Sequence, residues 1–217
     1  MTDEAGADAV IFALAGVNGA GKSSLGGAVL RAFGLEYFNP DEAAKRLRET
    51  KKSGSLDDAN ALAWQEGKMR LEFAIESNSS FSFETTLGGN TIPGLLRQAA
   101  EAELKVVVWF VGLSTPEQHI ARVRARVASG GHDIPEEMIR KRWDSSRRNL
   151  IALMPFLAEL RVFDNSQERA GTRPHPMELL RWRNGAIVSP DADALAMTPE
   201  WAKPIVTRAL KLQRDSK

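Results

Sequence analysis

The chain contains no cysteine, which excludes disulfides, thiolate metal sites and a cysteine nucleophile. It also lacks an excess of charge. Its 29 basic and 28 acidic residues leave a formal net charge of +1, so no global attraction to polyanions follows. No apolar run approaches membrane-spanning length. Residues 2–9 are acidic and small, unlike the basic, apolar start of a signal peptide. Together these absences predict a cytoplasmic protein that engages neither membranes nor nucleic acids. Only 3 histidines are present, and His119 and His175 have no partner at metal-ligand spacing, so both read as structural or exposed. What remains is ordinary: 217 residues, 43% hydrophobic and 26% charged, suit one α/β domain with a sizeable core.

One short segment stands out from that background. Gly16-Val17-Asn18-Gly19-Ala20-Gly21-Lys22-Ser23 satisfies G-x-x-x-x-G-K-[ST], the phosphate-cradling P-loop. Ahead of it Val10-Ile11-Phe12-Ala13-Leu14-Ala15 suits a buried strand, and behind it Leu25, Val29 and Phe33 recur at helical spacing. Strand, glycine loop and helix is the arrangement the chemistry requires. The glycines let the backbone turn and aim its N–H groups at phosphate oxygens, while the helix N-terminus adds partial positive charge. Lys22 reaches the β- and γ-phosphates of ATP, and the Ser23 hydroxyl can ligate Mg²⁺. The nucleotide-binding set is therefore Gly16, Asn18, Gly19, Ala20, Gly21, Lys22, Ser23 and Ser24.

Apolar strand-like runs alternate with helical patterns along the rest of the chain, which argues for a parallel sheet covered by helices. Residues 35–38 read as a second strand, 81–83 as a third, 104–111 as the clearest and 160–163 as the last. Helical patterns fall at 41–51, 57–76, 91–102, 115–127 and 135–154. The tail differs: residues 178–188 carry Asn184-Gly185 at their centre, a type I′ hairpin signature, and 199–212 reads as an amphipathic helix. No repeat or long linker divides the chain, so residues 1–217 read as one domain.

Parallel-sheet enzymes build their sites at the carboxyl ends of the strands. There lie the P-loop, Asn39-Pro40-Asp41, Glu84-Thr85-Thr86 and Asp164-Asn165. Asp41 suits a base that holds an acceptor hydroxyl and takes its proton, the alternative being a helix-capping Asp. Glu84 could reach Mg²⁺ through water, as could Asp41, or bind substrate hydroxyls. Thr85 and Thr86 beside it either meet substrate or cap the turn. Between His119 and Arg148, eight Lys or Arg residues outnumber four acids. Two Arg-rich helices around Gly130-Gly131-His132-Asp133 suit a lid, at about residues 119–150, whose guanidinium groups close over a triphosphate. The alternative is a solvated charged face. No aromatic residues interleave with these cations, which disfavours nucleic acid. Trp64, Trp109 and Trp182 read most simply as core or rim packing.

Taken together, the P-loop, Asn39-Pro40-Asp41, Phe83-Glu84-Thr85-Thr86, the run from Arg126 to Pro135 and the Arg140 to Asn149 stretch resemble the zeta toxin family of P-loop kinases. The resemblance is to its short stand-alone members and spans about residues 9–165. It implies a P-loop kinase-like sheet with an Arg-rich lid, a C-terminal hairpin and a final helix. It further implies an ATP-dependent kinase that phosphorylates the amino-sugar 3′-hydroxyl of UDP-N-acetylglucosamine, blocks cell-wall precursor synthesis and has a separate antitoxin as partner. By the resemblance, Lys22 and Ser23 hold ATP and Mg²⁺, Asp41 is the base, Glu84 lies near the acceptor sugar and Arg126 is a lid arginine. A second family arginine aligns with His132, a departure. Either His132 donates a weaker hydrogen bond or Arg140 takes over. The long loops with which larger members grip a nucleotide sugar are missing. A kinase of another metabolite or an antibiotic-like hydroxyl compound is the alternative within that class. Outside it stands a nucleotide-dependent ATPase or switch, for which Asp41 would be dispensable. Charge balance disfavours an RNA-end kinase.

Overall fold

The computed structural model describes residues 9–22, 37–50, 55–131, 133–167 and 176–215. Strand β1 (Val10–Ala15) lies between β2 (Phe81–Thr85) and β3 (Lys105–Gly112), and β3 pairs with β4 (Glu159–Asp164), all in parallel. Antiparallel β5 (Met177–Arg183) then extends the sheet from β4, and β6 (Ala186–Ser189) closes its edge. The order is β2-β1-β3-β4-β5-β6. Helices α1 (Pro40–Glu49), α2 (Leu56–Glu76), α3 (Thr91–Glu101), α4 (Pro116–Ala128), α5 (Glu136–Leu153), α6 (Ala192–Ala196) and α7 (Lys203–Asp215) accompany it. No described helix is long and apolar enough to cross a membrane.

Alternation along the strands divides the core between two faces. Ile11, Ala13 and Ala15 join Val106, Val108, Phe110, Leu160 and Val162 in a large cluster with α2, α3, α5 and α7. Phe12 and Leu14 point the other way, to Ala20, Val111 and Trp109. The hairpin turns as its dipeptide requires, with Asn184 at φ 47° and Gly185 at φ 81°. It is no appendage, because Leu160 and Trp182 lie opposite one another in the continuous sheet.

Two expectations change. Of the second strand proposed at 35–38, the first two residues lie outside the described ones, and Phe38 contributes a single parallel bridge to Phe83. The chain leaves the sheet there because Pro40 cannot donate to a ladder and Asn39 caps α1, its side chain accepting from Asp41 N at 2.9 Å and Glu42 N at 3.4 Å. The final helix begins at Lys203 rather than 199, because residues 199–202 turn through an Ala202 N–H to Pro199 bond of 2.9 Å. The P-loop helix expected after Lys22 lies outside the described residues.

Register positions the site. Leu14 lies opposite Glu84 and Ala15 opposite Thr85, and Gly16 N donates to Thr85 O at 3.2 Å. The end of β2 is thereby fixed beside the first residue of the P-loop.

Candidate active site

The P-loop is shaped by what surrounds it. Gly16 has φ +141°, and a Cβ there would come within 2.3 Å of Val111 O. Gly21 has φ +88°, and a Cβ there would meet the Asn165 amide at 2.4 Å. Neither position admits another residue, and the backbone is left in the tight turn that presents N–H groups to phosphate. Asn165, just past β4, donates to Ala20 O at 2.8 Å, and its own carbonyl accepts from Arg122 at 2.7 Å. The loop is thus braced from the strand ends.

Lys22 is buried and spends its three N–H groups nearby. It donates to Gly16 O at 2.6 Å and Val17 O at 3.4 Å, and pairs with Glu84 at 3.3 Å. Glu84 also accepts from the Tyr37 hydroxyl and, at 3.2 Å, from the Asn39 amide. Burial first, and then Glu84, push the Tyr37 phenol far above its ordinary range, so it stays a donor. A carboxylate at this position is therefore held by a lysine, a phenol and the residue that caps α1.

Capping does not account for Asp41, because Asn39 supplies the cap. Asp41 sits in the first turn of α1 with a half-exposed carboxylate, 3.8 Å from the Arg126 guanidinium. The turn after α4 holds Arg126, since Gly131 N donates to Arg126 O at 2.9 Å. Thr85 and Thr86 line the cleft and also cap its turn, accepting from Leu87 N at 3.0 Å and Gly88 N at 3.4 Å.

A cleft of about 430 Å³ lies at the carboxyl ends of the strands. Asn18, Lys22, Asp41, Glu84, Thr85 and Arg142 line it. Arg142 belongs to the basic cluster of residues 119–148. It donates to Asn18 Oδ1 at 2.8 Å, and its stem lies over Gly88. Burial lowers its pKa, with Asp41 opposing. The helix bearing it also clamps the loop after β2. Ser145 donates to Gly88 O at 2.8 Å, and Asn149 donates to Leu87 O at 2.8 Å and Gly89 O at 2.9 Å. Buried Leu87 is held at φ 55° there, a conformation that persists only where neighbours enforce it. Arg140 points elsewhere, pairing at 2.5 Å with exposed Glu117 of α4. Ser23, Ser24 and His132 lie outside the described residues. The polar stripe Arg142, Ser145, Ser146, Asn149 at helical spacing is the sequence feature that could have marked Arg142.

His119 is structural, as expected. It is buried on α4, and its Nδ1–H donates to Asn18 O at 2.9 Å. Burial, reinforced by the charges of Lys22, Arg122 and Arg147, pushes its pKa from 6.5 to about 4. Between those values the unfolded chain binds a proton that the folded chain refuses, so stability rises with pH across the window and is lost as pH falls. The protein is expected to lose up to about 3 kcal/mol between pH 6.5 and 4 through this group. His119→Asn, which keeps an N–H donor, should lose less. Urea melts at neutral and acid pH measure the difference, and equal losses in both proteins would refute the assignment.

Comparison with protein-family models gives no match. An uncharacterized protein of Haemophilus influenzae is 31% identical over 135 residues, spanning 59% of this chain and 88% of its own length. This chain and that protein belong to one family. Among solved structures, the AvrRxo1-ORF1:ORF2 complex with ATP matches with TM-score 0.65 at 18% identity, over 90% of this chain and 65% of that one. This chain therefore spans less than two thirds of the length of that relative. The PezAT toxin–antitoxin system of Streptococcus pneumoniae matches with TM-score 0.56 at 12% identity, over 98% of this chain and 88% of that one. These likenesses show a shared fold, the one the resemblance to zeta toxins implies. Within this fold, the cleft lies where the P-loop meets the ends of β1 and β2, with helices α4 and α5 packed on Val17 through Ile120, Val123 and Ile139.

Proposed function

We propose that this protein is an ATP-dependent small-molecule kinase whose acceptor is UDP-N-acetylglucosamine or a related nucleotide sugar. The observation that supports it is the convergence of Lys22, Glu84, Asp41 and Arg142 on one cleft beside the P-loop. ATP enters as substrate with its phosphates on the loop, and Lys22 exchanges one of its present acceptors for a phosphate oxygen. Asp41 holds the acceptor hydroxyl and takes its proton. The acceptor oxygen then bonds to the γ-phosphorus as the bond from phosphorus to the bridging oxygen breaks, and ADP leaves. Arg126 beside Asp41 and Arg142 beside Asn18 flank the transferring group and neutralise its equatorial oxygens. In this reading Arg142 supplies the second lid charge. Glu84, kept in place by Tyr37 and Asn39, orients acceptor hydroxyls through the oxygen that now faces Lys22.

Mg²⁺, when bound, neutralises charge on the β- and γ-phosphates. No cluster of three acids or histidines occurs among the described residues. That donor set suits an ion carried mainly by the nucleotide, with Ser23 as its loop ligand and Asp41 or Glu84 acting through water. A kinase that draws on ATP would work in the cytoplasm. Its structural neighbours are complexes, AvrRxo1-ORF1 with ORF2 and the PezAT toxin with antitoxin, which supports a separate inhibitory protein as partner.

Incubation with labelled ATP and a panel of nucleotide sugars, metabolites and hydroxylated antibiotics, read by mass spectrometry, tests the reading. One added phosphate on a nucleotide sugar is the expected result. Transfer to another class would replace the acceptor. ATP hydrolysis indifferent to every acceptor would contradict a kinase.

A further inference from the structure

Helix α2 forms one wall of the cleft with Asn60, Ala61, Trp64, Gly67 and Lys68, positions that share a single helical face. A Cβ on Gly67 would lie 2.7 Å from the Phe38 ring, so the helix is seated directly on the cleft. Trp64 is 44% exposed and belongs to none of the three hydrophobic clusters. Burial in the core therefore does not explain it. A large indole is kept against water at a cleft of mixed polar and apolar lining, to which Thr86, Gly88, Gly89 and Thr91 also contribute. That combination suits a flat or ring-shaped group, since an indole offers a broad apolar face at little conformational cost. Polar groups stand one turn to either side. Asn60 precedes Trp64, and Lys68 follows it, paired with Glu72 at 2.5 Å while still bordering the cleft.

Resting on the reading of this cleft as the acceptor site, we infer that Trp64 is the platform on which a ring of the acceptor stacks. It selects cyclic acceptors over open-chain hydroxyl compounds, while Asp41 and the arginines act on the phosphate end. The role is one of specificity: Trp64 affects acceptor binding and leaves the phosphoryl step alone.

Calorimetric titration of the wild type, Trp64→Ala and Trp64→Phe with UDP-N-acetylglucosamine, UDP and N-acetylglucosamine 1-phosphate tests this. Trp64→Ala is expected to weaken binding of the nucleotide sugar by about 5- to 150-fold, the range found when an aromatic that stacks on a base is removed. Trp64→Phe should lose little, and ATP affinity should hold in both variants. Weakened UDP assigns the base to the indole, and weakened sugar phosphate assigns the sugar. Equal affinity in wild type and Trp64→Ala would overturn the inference, as would a wild type that binds none of the three. Phosphotransfer is assayed separately on the same proteins. Trp64-dependent binding without transfer would defeat the kinase reading and leave Trp64's role standing.

Discussion

Arg126→Ala is expected to lower kcat by about 10³- to 10⁵-fold, the range over which an arginine on a transferring phosphoryl group acts, with a far smaller change in ATP affinity. Its guanidinium stands 3.8 Å from Asp41, so charge neutralisation and proton removal are concentrated at one place. Arg126→Lys should rescue poorly, because an ammonium cannot reproduce the planar two-pronged contact. The neighbouring arginines separate two accounts of the lid. Arg142 lines the cleft and holds Asn18 of the P-loop at 2.8 Å, so Arg142→Ala should be nearly as damaging. Arg140 is engaged at the surface with Glu117, so Arg140→Ala should retain wild-type rates. Steady-state kinetics on the three alanine variants decide the matter. A crippling Arg140→Ala beside a silent Arg142→Ala would reverse the assignment.

Lys22→Ala should abolish phosphotransfer and sharply weaken ATP binding while the fold survives. Lys22 is buried, but its partners are two P-loop carbonyls and Glu84 rather than the apolar core. Removing it leaves Glu84 with its Tyr37 and Asn39 donors, so no carboxylate is stranded. Calorimetry with ATP and thermal melting of the variant check both parts. A folded Lys22→Ala protein with undiminished transfer would refute the P-loop assignment.

Much of the sheet was legible because its signals are local and redundant. Val10–Ala15 is continuously apolar as a doubly covered parallel strand should be, and Asn184-Gly185 suits the left-handed φ angles of a type I′ turn. Of the strand expected at 35–38, the described part is a single bridge at Phe38, because Asn39 and Pro40 take the chain out of the ladder. At the site, Lys22, Glu84 and Asp41 could be named from their places after strands. Asp41's freedom from capping could not, since Asn39 and Asp41 are equally good caps until the helix start is known. The choice between Arg140 and Arg142 is a matter of helical phase. Two residues are about 200° of rotation, enough to turn one guanidinium to Glu117 and the other to Asn18. For Trp64 the sequence leaves core and rim packing open, because exposure cannot be seen in it and α2 carries apolar residues on several faces, Leu62, Met69 and Phe73 among them.

The central claim is that the cleft beside Lys22 holds an acceptor whose hydroxyl is activated by Asp41. Its most direct test is the rate of phosphate transfer from ATP to UDP-N-acetylglucosamine by Asp41→Asn and wild type, with ATP affinity measured on both. Asparagine keeps the shape and removes the proton acceptor, so the rate should fall by about 10²- to 10⁴-fold with ATP affinity nearly unchanged. An Asp41→Asn protein that transfers phosphate at the wild-type rate would contradict it.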